Sequence, residues 1–147
     1  MADQQEWHYT QPVVGIGVMV IKDGKILLGQ RQSQSTHGEG QYAYPGGKLD
    51  HMESFEECAK RETREEAGIE ITNIKLIRLL NFKDYAPRHF VDIAVRADWE
   101  SGEPRVLEPD KVADWAWYDF DSLPKPLFKA CPSAIEALTT GQVYWDA

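Results

Sequence analysis

Cysteine is scarce in this chain: Cys58 and Cys131 are the only two in 147 residues, too few for a disulfide framework. Both are therefore expected as reduced core residues of an intracellular, cytoplasmic protein, with Cys58 on the inward face of a helix. No apolar run reaches the roughly 20 residues that a membrane-spanning helix needs. No basic-plus-apolar leader opens the chain, so no membrane partner is expected. Cations are in the minority, 16 Lys and Arg against 24 Asp and Glu for a net charge of −8. That balance argues against a surface for polymeric nucleic acid. An acidic chain that handles anions needs metal ions or a local basic patch to offset its own field.

What is present suffices for one domain. A length of 147 residues with 42% hydrophobic composition supports a core without covalent staples. The polar stretch over 1–11 reads as a flexible tail and 12–147 as the domain. Val13–Ile21 and Lys25–Arg31 flank Lys22-Asp23-Gly24, which predicts a β-hairpin. Gly15 and Gly17 suggest a dinucleotide motif, but Val20 stands where its third glycine belongs and a hairpin follows instead of a helix. Gln32–Gly40 is a polar loop and Gln41–Tyr44 a short strand before Pro45-Gly46-Gly47, a pair of glycines suited to a turn. Ile74–Phe82, His89–Ala97 and Asp114–Tyr118 read as strands, the second with Val91, Ile93, Val95 and Ala97 on one face. Helices are expected over Glu53–Ala67 and Pro132–Thr140. Mostly local strand pairing with two inserted helices predicts an α/β (α+β) fold, a mixed sheet sandwiched between helices.

The most informative feature is the end of the first helix. Glu62, Glu65 and Glu66 lie within one turn of each other, on the face that also carries Phe55, Cys58 and Ala59. Like charges at these spacings repel, and the negative end of the helix dipole adds to the cost. A hard divalent cation with oxygen ligands converts that repulsion into coordination. Arg61 is placed to pair with Glu57 or Glu65 on adjacent turns, and Gly68 suits a left-handed C-cap just beyond the acids.

Gly47, Glu53, Arg61, Glu62, Glu65, Glu66, Gly68 and Ile69 fall in the register of a longer motif. The segment resembles the Nudix box, with Thr63 where an aliphatic residue is usual, a change expected to weaken packing. Glu108-Pro109-Asp110-Lys111, Trp115-Ala116-Trp117 and Leu123-Pro124 with Leu127-Phe128 are similar to the MutT-related branch. That branch includes the human nucleotide-pool enzyme of the fifteenth Nudix type and its small plant relatives. The resemblance covers about Val13 to Phe128 and implies an α/β/α sandwich, Mg²⁺ (or Mn²⁺) as cofactor and a homodimer. It also implies attack of water on a diphosphate of a nucleotide substrate.

By that resemblance Glu62, Glu65 and Glu66 are metal ligands, with the Gly47 carbonyl and either Glu108 or Asp110 completing the set. One of the three, or Glu53, helps to activate water. Arg31 and Lys48 lie beside the expected phosphate path, where cations would clamp an anionic substrate. Aromatic side chains supply flat faces for a base. Tyr44 and Phe128 match base-pocket positions, Tyr44 in place of a smaller aliphatic residue, and Trp117 of the last strand is a further candidate. The leading expectation is a nucleoside triphosphate pyrophosphohydrolase that releases a monophosphate and pyrophosphate, acting on standard or oxidised bases. The alternatives are hydrolysis of a nucleotide sugar, a dinucleotide such as NADH or an isoprenyl diphosphate, and a non-catalytic nucleotide sensor.

Overall fold

The computed structural model describes residues 10–32 and 37–146; most of the expected N-terminal tail and residues 33–36 of the polar loop lie outside them. The chain runs β1 (Val13–Lys22), β2 (Lys25–Gln30), β3 (Tyr42–Ala43), β4 (Gly46–Lys48), α1 (Phe55–Ala67), β5 (Glu70–Phe82), β6 (Phe90–Ser101), β7 (Ala116–Asp119), α2 (Cys131–Thr140) and β8 (Tyr144–Asp146). The hairpin forms as expected. Asp23 (φ 50°) and Gly24 (φ 77°) both take the left-handed conformation and bring Lys22 opposite Lys25, a two-residue turn whose twist matches its strands.

Pairing is less local than the sequence suggests. β1 lies parallel to β6 over nine residue pairs, Val13↔Phe90 to Ile21↔Asp98, in an eight-stranded mixed sheet. Alternation along β1 sends Ile16, Val18 and Val20 to one core, shared with Cys58, Ala59 and Ala67 of α1. Met19 goes to the other, shared with Cys131 and Ala134 of α2. The two helices therefore cover opposite faces of the sheet, the expected sandwich. Ile93, Val95 and Ala97 share the α1 side, and the two cysteines are buried and free. Among the described residues no helix is long and apolar enough to cross a membrane.

Helix α1 begins later than expected, at Phe55, because Ser54 caps it. The Glu57 amide donates to Ser54 Oγ (3.0 Å) and the Ser54 amide to Glu57 Oε1 (2.8 Å), a reciprocal capping box. Glu53 thus stands outside the helix, and Glu57 is committed to the cap instead of to Arg61. Phe55, placed on the inward face by the wheel, is half exposed. Gly68 (φ 69°) closes the helix, its amide donating to the Arg64 carbonyl, as expected. Thr63 is fully buried, and its hydroxyl donates to the Ala59 carbonyl at 2.7 Å, which satisfies the polar group that the family's aliphatic residue lacks.

Candidate active site

Gly46 and Gly47 form β4, paired antiparallel to Gly17 and Ile16 of β1, and not the free turn expected from their composition. Neither has a positive φ; what demands glycine at Gly47 is proximity. A Cβ there would fall on the Glu62 carboxyl group. Strand pairing thus lays a backbone segment directly against the acidic face of α1.

Arg61 is the hub of that face. Its Nε and Nη2 donate to the two oxygens of Glu53 (2.7 and 2.9 Å), its Nη1 to Glu62 (2.8 Å) and Glu65 (3.3 Å), and Nη2 also to the Lys48 carbonyl (3.1 Å). These bonds hold the Glu53 carboxyl down to about 2 and push the guanidinium pKa upward. The Asp50 amide donates to Glu53 as well, so the loop before the helix is fixed by the same carboxylate.

Glu62 and Glu66 behave in the opposite way. Burial pushes the Glu62 carboxyl above its ordinary range, with Arg61 opposing. Burial raises Glu66 well above that range, and the fields of Glu62 and Glu108 add to the rise while the Gly46 amide, donating to Glu66 Oε1 at 3.1 Å, opposes it. Crowded, desolvated carboxylates of this kind mark functional sites. Trp115 Nε1 donates to the Glu66 carbonyl at 3.0 Å, anchoring the helix end that presents these acids.

Hard oxygen donors of this kind suit a divalent cation. Glu62 and Glu66 face the Gly47 segment where no side chain intrudes, Glu108 is close enough for its charge to act on Glu66, and Glu65 stands half exposed at the rim. Asp110 is exposed. Among the described residues no three His, Cys, Asp or Glu side chains are already grouped around one point, because Arg61 holds Glu62 and Glu65 turned toward itself.

The acids open onto a cavity of about 400 Å³. Glu62, Glu66, Gly47 and Lys48 line it together with Phe82, Phe90, Phe128 and His37, whose rings neighbour one another. Phe128 stacks on Tyr85 with ring centroids 5.3 Å apart, and the Arg31 guanidinium lies 4.4 Å over the Phe128 ring while its Nε donates to the His37 carbonyl. Tyr44 lines the wall, nearly buried.

Of the sequence candidates, Arg31, Lys48, Tyr44 and Phe128 meet in this cavity. Trp117 does not: it packs in the α1-side core, with Lys22 5.7 Å from its ring. Its neighbour Trp115 packs against the same core, as their alternate spacing predicts, and also lines the cavity.

Sequence reasoning missed Arg88, Lys111 and Asp92, all cavity residues. Burial lowers the Lys48 pKa, and the fields of Arg88 and Lys111 lower it further; this convergence of cations in an acidic chain is invisible without the fold. The one available signal for Asp92 was an acid interrupting an apolar strand.

Comparison with known proteins agrees with this geometry. The NUDIX domain family model matches residues 11–138, and the chain belongs to that family, in its MutT-related group. It is 38% identical to the MutT Nudix hydrolase of Burkholderia pseudomallei, with a TM-score of 0.80 over 87% of this chain and 98% of that one. It is 34% identical to an ADP-ribose pyrophosphatase of Methanocaldococcus jannaschii over 82% of this chain and 69% of the relative. It is 36% identical to the NAD-capped RNA hydrolase NudC of Vibrio vulnificus over 80% of this chain. The chain spans only 42% of that NudC and 66% of an oxidised purine nucleoside triphosphate hydrolase of Danio rerio, to which it is 32% identical. Members of the family generally use divalent metals.

Proposed function

We propose that this protein is a Mg²⁺-dependent nucleoside triphosphate pyrophosphohydrolase that releases a nucleoside monophosphate and pyrophosphate. The observation that carries the reading is the continuity of one cavity from a carboxylate cluster to an aromatic wall. A nucleotide has the same polarity, anionic phosphates at one end and a flat base at the other.

In this reading Glu62, Glu66 and the Gly47 carbonyl would hold the ion, with Glu65 and Glu108 as further candidates. A divalent ion supplies charge neutralisation of the phosphates and lowers the pKa of water. Glu62 and Glu65, which accept from Arg61 here, would be the carboxylates available to an ion. Arg61 stays paired with Glu53 and keeps that carboxylate charged and oriented. The base that takes the proton from the attacking water is one of Glu53, Glu62, Glu65 and Glu66. Lys48, Arg88 and Lys111 receive the phosphates, and Arg31 with Phe128 supports the base.

The test is a screen of standard and oxidised (d)NTPs with Mg²⁺ and identification of every phosphate-containing product. Monophosphate and pyrophosphate are expected. No product from any nucleotide would remove this reading. A second reading, hydrolysis of a dinucleotide or ADP-ribose, draws on the names of the M. jannaschii and NudC relatives. It is distinguished by products, since ADP-ribose yields AMP and ribose phosphate.

A further inference from the structure

Asp92 is an acid without a role in the chemistry above. It stands on β6 opposite Gly15 of β1 and lines the cavity. Fully buried Arg78 donates to Asp92 Oδ2 through Nη1 (2.9 Å) and Nη2 (2.8 Å), and Nη2 also donates to the Ala130 carbonyl (2.8 Å). The guanidinium thus fixes the carboxylate through one oxygen. Among the described residues nothing donates to the other, Oδ1. It is uncovered because residue 15 is glycine, at which a Cβ would stand 3.3 Å from Oδ1. Asp92 shares its sheet face with Phe90, two residues away or roughly 7 Å along the strand. Phe90 belongs to the aromatic wall. The same Gly15 Cβ position lies 3.9 Å from the Gly47 carbonyl oxygen, so Oδ1 is close both to the aromatic wall and to the Gly47 segment.

We propose that Asp92 is a specificity-determining residue whose open Oδ1 accepts a hydrogen bond from the exocyclic amino group of a nucleobase. The cavity then favours amino-bearing bases over their oxo counterparts. A carboxylate only accepts, so an amino group facing it gains a charge-assisted bond, whereas a carbonyl in the same place sets two acceptors against each other. This selection rests on the nucleotide reading of the cavity. It also gives a use to Gly15, which the failed dinucleotide motif left unexplained.

The experiment compares dCTP with dUTP and dATP with dITP, each pair setting an exocyclic amino group against a carbonyl at the same base position. In the better-used pair, the amino member is expected to lead by about tenfold or more in kcat/KM, with the difference in KM. Asp92→Asn offers an NH₂ to a carbonyl and is expected to erase or reverse the preference. Gly15→Ala covers Oδ1 without touching the Arg78 pair and is expected to erase it too, which guards against misfolding of the Asp92 variant. Equal use of both members in both pairs, or a preference that survives both substitutions, overturns the proposal. Calorimetric binding of dCMP against dUMP and of dAMP against dIMP reads selection without turnover. Selective binding by a protein inert to all four triphosphates would support Asp92 and remove the hydrolytic reading; turnover without selection would do the reverse.

Discussion

Arg61 closes on both oxygens of Glu53, Nε to Oε2 at 2.7 Å and Nη2 to Oε1 at 2.9 Å. The fork ties the loop before α1 to the middle of that helix, and the same guanidinium reaches Glu62 and Glu65. Lysine has the charge without the fork. Arg61→Lys is expected to fold normally and to lose about tenfold or more in kcat, since misorientation of the acids impairs positioning. Steady-state kinetics beside a melting curve test this; an unchanged kcat would show the fork to be incidental.

Glu66 carries a carboxyl raised well above its ordinary range by burial and by Glu62. A group whose folded pKa exceeds its unfolded one contributes stability below the unfolded value and loses it as pH rises through the folded value. At neutral pH without metal the charge is thus a liability. Glu66→Gln is expected to cut kcat by about a hundredfold or more while leaving Tm in EDTA unchanged or raised by about 2 °C. The rise in Tm on adding Mg²⁺ should shrink in the variant. A variant that melts well below the parent in EDTA would contradict the account.

Gly47→Ala tests close approach. The backbone there is compatible with any residue, but the added methyl meets the Glu62 carboxyl. Far-UV circular dichroism should be unchanged and activity should fall about a hundredfold. Full activity would mean that Glu62 swings clear at no cost.

Phe128 lines the cavity and Trp117 does not. Phe128→Leu is expected to raise KM for a nucleotide by about tenfold, through loss of ring contact, and Trp117→Phe to lower thermal stability with KM unchanged. The reverse pattern would restore Trp117 to the site.

Burial pushes the Cys58 and Cys131 thiols up to about 12. Both should resist iodoacetamide at pH 8 in the native protein and react on unfolding, as thiolate is the reactive form. Their contribution to stability is complete below the unfolded value near 9 and is lost as pH rises toward 12, so Tm should decline across that window. Rapid native labelling, read by mass spectrometry, would count against the buried assignment.

Much of this was legible in the residues. The Asp23-Gly24 turn, the Gly68 cap, the inward Ile93, Val95 and Ala97 and the acid cluster all depend on local spacing, which a sequence records directly. The misplacements have a common cause. Ser54 competes for Glu57, which moved the helix start and redirected Arg61; the pairing of β4 with β1 made Gly46-Gly47 a strand; and packing against the α1-side core kept Trp117 out of the cavity.

The sequence by itself determined that Glu62, Glu65 and Glu66 crowd one end of a helix bounded by Gly68, because helical periodicity is a property of adjacent residues. Only the tertiary structure decided what faces those acids. β1 lies parallel to β6 across a separation of 77 residues, and that pairing sets Asp92 beside Gly15, Arg78 against it and the aromatic wall within reach. Contacts between distant segments follow from the packing of the whole sheet, which no local pattern encodes.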